Sequence, residues 1–230
     1  MSANREGADP DLAQLLDHAL LDPLAGAEQL RVACDAARHF GFAGLCVHSR
    51  RVPWVRERLS GDRRIMLVAV VGFPSGAVPE AVKHHEAAWC VDQGADELDV
   101  VPDLAALMDH DGETAHRELA SIVELGVPVK AILEAGRLEP DALELAVEVA
   151  LDAGVHWLKT GSGYGPPASP ELVRRLVALA RGRAAVKASG GIRDLEGALA
   201  LVQAGARRLG TSRGPALMAA LRAAPAEQLR

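Results

Sequence analysis

The sequence predicts a single-domain α/β protein, a (β/α)8 TIM barrel, on three observations. Segments that read as strand and helix alternate along nearly the whole chain, the pattern that builds a parallel sheet. The strand runs, such as Ile65–Val71, are almost continuously apolar, as strands covered on both faces must be. Eight strand-like segments fit into 230 residues, the compact end of the size range of an eightfold barrel. A doubly wound open sheet is the competing arrangement for the same alternation.

Taken in order, residues 1–11 are polar and acidic and read as a flexible tail with no apolar signal-peptide core, ahead of a barrel over 12–230. The first strand-like segment is Leu15–His18. The second, Gly44–His48, follows a helical stretch closed at Gly41. The third, Met66–Gly72, leads to Pro79 and a helix over Glu80–Gln93, closed at Gly94 before the fourth strand, Glu97–Val101. A helical stretch over Glu113–Leu125 precedes the fifth, Val129–Glu134. Pro140 opens a helix over Asp141–Ala153, closed at Gly154 before the sixth, His156–Thr160. Pro170 opens Glu171–Arg181 before the seventh, Ala185–Ser189. Leu195–Ala204 closes at Gly205 before the eighth, Arg208–Thr211, and Pro215 starts the last helix. These glycines stand where a helix takes a left-handed C-terminal residue, and the prolines where a missing N–H costs nothing. No linker or low-complexity segment divides the chain.

Composition closes other routes. A net charge of −6 and the lack of a basic stripe with interleaved aromatics argue against nucleic acid. The longest apolar run is too short to span a bilayer, so no membrane partner is expected. Cys34, Cys46 and Cys90 form no C-x-x-C pair or disulfide framework, which suits a reducing, cytoplasmic setting. The eight histidines show no ligand spacing, so no metal and no other cofactor is expected. His18 and His48, at strand ends, are the two to follow. Cys46 has no base beside it and reads as a small buried hydrophobe.

The 25 basic side chains divide into 21 arginines and four lysines: Lys83, Lys130, Lys159 and Lys187. Only an amine can shed its proton near neutral pH and act as nucleophile or base. Lys159 and Lys187 stand at the C-terminal ends of neighbouring strands, the rim that carries the active site in such barrels. Partial desolvation and nearby cations there would lower an amine pKa. The alternative, strongest for Lys130, is a strand lysine paired with a buried carboxylate. Alternation puts Glu97 and Asp99 on one strand face, where an interior acid near two lysines would form an ion-paired, proton-shuttling cluster. Two glycine-rich turns, Ser189-Gly190-Gly191 and Gly210-Thr-Ser-Arg-Gly214, follow strands seven and eight, the usual phosphate site of this fold. Thr160-Gly161-Ser162-Gly163 offers a third wall.

The motifs Leu16-Asp-His-Ala-Leu-Leu-Asp-Pro23, Val71-Gly-Phe-Pro-Ser-Gly76, Glu80-Ala-Val-Lys83, Gly94-Ala-Asp-Glu-Leu-Asp99, Lys130-Ala-Ile-Leu-Glu134, Leu158-Lys-Thr160 and Lys187-Ala-Ser-Gly-Gly-Ile-Arg193 are specific in combination. Through them the chain resembles the deoxyribose-phosphate aldolase family, class I aldolases that cleave 2-deoxyribose 5-phosphate to glyceraldehyde 3-phosphate and acetaldehyde. The resemblance implies a phosphorylated sugar or aldehyde as small-molecule partner and a possible homodimer. It makes Lys159 the Schiff-base lysine, with Asp99 and Lys187 as its proton-relay partners. By the same likeness Asp17, Cys46 and Thr160 border the substrate. Gly163, Gly190, Gly191, Gly210 and Ser212 match phosphate-binding positions, to which this chain adds Arg213. Several family features are changed. Ala19 and Ala135 replace frequent threonines, Gly161 a serine, His48 an asparagine, Pro102-Asp103 an Ile-Asn pair and Arg213 a serine. The segment 219–230 lacks the tyrosine that some members use as a proton relay, and Tyr164 is the chain's only tyrosine. Lost pocket hydroxyls leave open a same-family enzyme with another substrate. A non-catalytic sugar-phosphate-binding barrel is the third reading, against which the two rim lysines speak.

Overall fold

The computed structural model describes residues 11–62 and 64–224. The expected N-terminal tail therefore lies outside the described residues, except for Asp11. Its carboxylate accepts from the Ala13 N–H (3.1 Å) and caps a 3-10 turn over Leu12–Leu15. That turn delays the first strand, β1, to Leu16–Leu20. The chain continues as α1 (Ala27–Phe40), β2 (Gly44–His48), α2 (Val52–Arg58), β3 (Met66–Val71), α3 (Glu80–Asp92) and β4 (Glu97–Val100). Next come α4 (Leu104–Met108), α5 (Gly112–Val123), β5 (Val129–Ile132), α6 (Pro140–Asp152) and β6 (Trp157–Lys159). The last elements are α7 (Pro170–Ala180), β7 (Ala185–Ser189), α8 (Leu195–Gln203), β8 (Arg208–Thr211) and α9 (Gly214–Ala223).

All neighbouring strands pair in parallel, and β1 closes on β8 with Asp17 opposite Gly210. Closure excludes the open sheet and confirms the predicted barrel. Several strands stop short of their expected ends. β3 ends before Gly72 (φ +63°) and β5 before Glu134 (φ +46°), both of which leave the extended region. Two short helices went unforeseen, α2 and α4. The second exists because the Asp103 carboxylate accepts from the N–H groups of Ala105 and Ala106 (3.0 and 3.1 Å), an N-cap worth about 1 kcal/mol.

The apolar core fills the layer between strands and helices. Leu143, Ala146, Val147 and Ala150 of α6 supply one stripe of it, and Leu119 and Ile122 of α5 another. Each such Leu, Val or Ile contributes about 1.5–3 kcal/mol by leaving water. Within the barrel the two halves differ. Ala19, Cys46, Val68 and Val70, from β1–β3, form a small apolar cluster. β4–β8, together with Asp17 of β1, send in charged side chains instead. Lys83 is the one lysine off the strands. On α3 it is fully buried against Glu118 of α5 (2.5 Å), and its stem packs where Gly72 has no Cβ. Among the described residues no helix is long and apolar enough to cross a membrane.

Candidate active site

The site follows from the pleat. In β4, alternate side chains point inward, so Glu97 and Asp99 share the interior face. Register then sets Asp99 beside Lys130, Ile132 beside Lys159, and Lys159 beside Lys187. The side chains converge on Asp99, which is fully buried. Its Oδ2 accepts from Lys159 Nζ (2.8 Å) and Lys187 Nζ (2.7 Å), and Lys130 Nζ is 3.2 Å from Oδ1. Lys187 also donates to Asp17, and Lys130 to Glu97. On its other oxygen Asp17 accepts from Arg208 (2.7 Å), whose guanidinium lies 5.2 Å over the Trp157 ring.

Charge states follow from these contacts. Burial alone would raise the Asp99 pKa, but the three lysines around it hold the carboxyl well below its usual range. Asp17 behaves likewise. Burial raises it, yet Lys187, Arg208 and Lys130 bring it down to about 2. Lys187 departs from the expected easily deprotonated amine. Burial would lower it, but Asp17 and Asp99 outweigh that and push its pKa upward, so it stays an ammonium. Burial and the nearby Asp99 charge push the Cys46 thiol up to about 11, which keeps it protonated. Its sulfur is 4.0 Å from Asp99 Oδ2, a packing neighbour of the acid.

The depressed Asp17 value predicts a pH dependence. A carboxyl with a folded pKa below its ordinary 3.8 stabilises the fold fully above about pH 4, and that contribution is lost as pH falls through about 2. It amounts to about 2 kcal/mol. Urea unfolding of the wild type and Asp17→Asn should therefore give stabilities that differ at pH 6 and converge near pH 2. A gap independent of pH would contradict this.

Above the cluster opens a cavity of about 590 Å³, with Lys159, Lys187 and Cys46 at its base. Gly163, Gly190, Gly191, Gly210, Ser212 and Arg213 all line it. Gly190 (φ +104°) and Gly163 (φ +99°) face each other across two loops, and a Cβ on Gly190 would come 3.5 Å from Gly163 Cα. Gly210 has a second reason to be glycine: its Cβ would sit 2.8 Å from Ser189 Oγ and 3.1 Å from the Lys187 stem. Arg213 precedes α9 and its N–H donates to Thr211 Oγ1 (3.0 Å), leaving the guanidinium exposed at the mouth. The positive end of the α9 dipole also faces this side.

Thr160 and Asp17 stand behind the cavity wall. Thr160 does not line the cavity. Its hydroxyl donates to the Ser189 carbonyl and accepts from the Ser189 N–H (2.9 Å each), because with Lys159 pointing inward the next side chain turns onto β7. Asp17 also lies off the cavity, beneath Lys187, and acts on the site through that lysine. Neither rim histidine lines the cavity. His18 is buried against Phe42, with burial lowering its pKa, and His48 Nε2 is 3.0 Å from the Leu21 carbonyl oxygen. Sequence reasoning missed three residues. Arg193 lines the cavity and ends the Lys187–Arg193 motif, which was the available signal. Buried Glu134 accepts from the Ser162 N–H and holds that loop. Arg208, the first residue of β8, had no signal beyond its strand position. Tyr164 lines the cavity with its ring edge-on to Phe73 (5.8 Å).

A lysine opening into a cavity, with a buried carboxylate and a second ammonium in contact, can form an imine with a carbonyl compound and exchange protons during its making and breaking. No protein-family model matches the chain. Individual relatives do. The deoxyribose-phosphate aldolase of Microcystis aeruginosa is 46% identical over 218 residues, 94% of this chain and 96% of that protein. An enzyme of the same name from Thermus thermophilus is 45% identical over 213 residues, covering 91% and 96%. Among solved structures, the tetrameric deoxyribose phosphate aldolase of Aeropyrum pernix superposes with a TM-score of 0.84 at 35% identity, covering 92% of this chain and 91% of that one. An aldolase designated QR15 gives 0.88 at 32% identity, covering 93% and 96%. Full-length agreement in sequence and barrel, around a lysine-and-aspartate interior, places this chain in the deoxyribose-phosphate aldolase family.

Proposed function

We propose that the protein is a class I aldolase that cleaves and forms 2-deoxy-D-ribose 5-phosphate through a Schiff base on Lys159. The carrying observation is the shared contact of Lys159 and Lys187 with one Asp99 oxygen beneath a cavity walled by glycine turns and arginines. The Lys159 amine adds to C1 of the open-chain sugar, and loss of water gives the iminium. The C2–C3 bond then breaks. Its electron pair moves to the iminium as the C3 hydroxyl loses its proton, releasing glyceraldehyde 3-phosphate and leaving an enamine. Protonation at C2 and hydrolysis free acetaldehyde and the amine. Asp99, bonded to Lys159 and Lys187, is placed to take and return these protons. Lys187 stays charged and offsets negative charge developing beside it. The phosphate lies against Gly163, Gly190, Gly191 and Ser212, with Arg213 as an added donor able to bond it bidentately.

The chain acts on a small phosphorylated substrate in the cytoplasm in this reading. It also self-associates in this reading, as a homodimer by family likeness, whereas the Aeropyrum pernix relative is a tetramer.

The test is imine trapping. Incubation with deoxyribose 5-phosphate and borohydride should give an adduct that mass spectrometry locates on Lys159. No adduct, or one confined to other residues, overturns the mechanism. In a companion turnover assay unphosphorylated 2-deoxyribose should lose roughly 10²-fold or more in kcat/KM, the scale of a few lost charge-assisted hydrogen bonds. Equal rates for the two sugars would remove the phosphate from the assignment.

A further inference from the structure

The loop between β6 and α7 brings Gly163 and Tyr164 into the cavity wall, and it is anchored at both ends. At its far end the Ala168 N–H donates to the Gly190 carbonyl (3.0 Å), which ties it to the loop after β7. Its near end rests on Glu134. This residue stands just beyond β5, is buried, and has φ +46°, a left-handed backbone that a residue with a side chain adopts only at a cost. Its Oε1 accepts from the Ser162 N–H. Its Oε2 lies against Gly165, where a Cβ would collide with it. One carboxylate therefore meets the loop on both sides of Gly163. Ser162 Oγ in turn accepts from the Tyr164 N–H (3.1 Å). With the N–H groups of Ser162 and Tyr164 bonded in this way, Gly163 keeps an N–H that no protein acceptor takes among the described residues.

We propose that Glu134 is a positioning residue for phosphate recognition: by holding Ser162 and Gly165 it fixes the Gly163 backbone at the cavity wall, and it takes no part in imine chemistry. The inference rests on the reading that the substrate phosphate lies against that wall.

The physical argument has two parts. A glycine at φ +99° has no side chain to fix its orientation, so its N–H is preorganised only if its neighbours are held. A carboxylate is a strong acceptor for such a hold, and a buried one has little water to bond instead. The left-handed turn supplies the second part. Alternation from Lys130 through Ile132 would aim the side chain at 134 into the barrel mouth. The turn sets it onto the β6–α7 loop instead, and Glu134 does not line the cavity. The loop gains its anchor while the negative charge stays behind the wall that receives the anion.

The test separates phosphate binding from chemistry. Glu134→Ala should raise the KM for 2-deoxyribose 5-phosphate about tenfold or more, the scale of a weakened hydrogen bond to a charged group, with kcat little changed. Turnover of unphosphorylated 2-deoxyribose should stay at the wild-type level, and so should the rate at which acetaldehyde is trapped on Lys159 by borohydride. Glu134→Gln keeps an acceptor for Ser162 and should restore most of the KM. Gly165→Ala adds the methyl group that displaces Oε2 and should raise the same KM with Glu134 still present. If Glu134→Ala does not fold, Gly165→Ala decides alone. Equal losses on the two sugars, slower imine trapping, or an unchanged KM each overturn the proposal. A wild type that turns over both sugars equally removes the phosphate from the cavity, and the role of Glu134 with it. A wild type that prefers the phosphorylated sugar, with an unmoved KM in the variants, sinks only the role of Glu134.

Discussion

Lys159→Met should abolish turnover and leave a folded barrel. Activity is expected to fall at least about 10⁴-fold, the scale seen when a covalent nucleophile is removed. The fold survives because nothing is orphaned. Asp99 keeps Lys187 at 2.7 Å and Lys130 at 3.2 Å, and the methionine chain fills a similar buried volume. Circular dichroism and a thermal melt near wild type, with kcat below detection, are the expected pair. Residual turnover within about 10²-fold of wild type would show that another amine forms the imine, and Lys187 is the neighbour to examine.

Asp99→Asn should damage both properties. The amide matches the carboxylate in shape but carries no charge and takes no proton. Lys187 still has Asp17 and Lys130 still has Glu97, whereas Lys159 loses its carboxylate. An ammonium left unpaired in a buried site costs about 3–5 kcal/mol, less whatever it recovers by shedding its proton. Loss of the proton acceptor slows carbinolamine breakdown and enamine protonation, by about 10²–10⁴-fold. The two variants are thus distinguishable: Lys159→Met is inactive and stable, Asp99→Asn impaired and unstable. Borohydride trapping adds a third reading, since Asp99→Asn retains Lys159 and should still give the adduct slowly. Near-normal turnover in Asp99→Asn would remove Asp99 from the proton path.

The fold was legible because its signals are local. Apolar runs bounded by a closing glycine and an opening proline mark each strand and helix without reference to distant residues. The rim position of Lys159 and Lys187 followed from the strand ends alone, and so did the glycine turns. The misreadings are also local in origin. Thr160 opens the glycine-rich turn read as a third wall, and the pleat turns its hydroxyl onto Ser189. Strand ends were drawn too long where a positive φ, at Gly72 and Glu134, breaks the extended run.

What the sequence determined by itself is which elements form and which few residues carry reactive groups: an alternating barrel with an amine at the end of its sixth strand. What only the tertiary structure decided is the state of those groups. Asp17 and Lys187 are 170 positions apart, and Asp17 and Arg208 are 191 apart, yet each pair is in contact across the closed barrel. Charge state in a buried site depends on distance in space, because the interior screens poorly and each ionised group feels its neighbours strongly. Lys187 therefore proved a fixed cation where its strand position suggested a labile one, and Arg208, inconspicuous in the chain, proved a partner of Asp17.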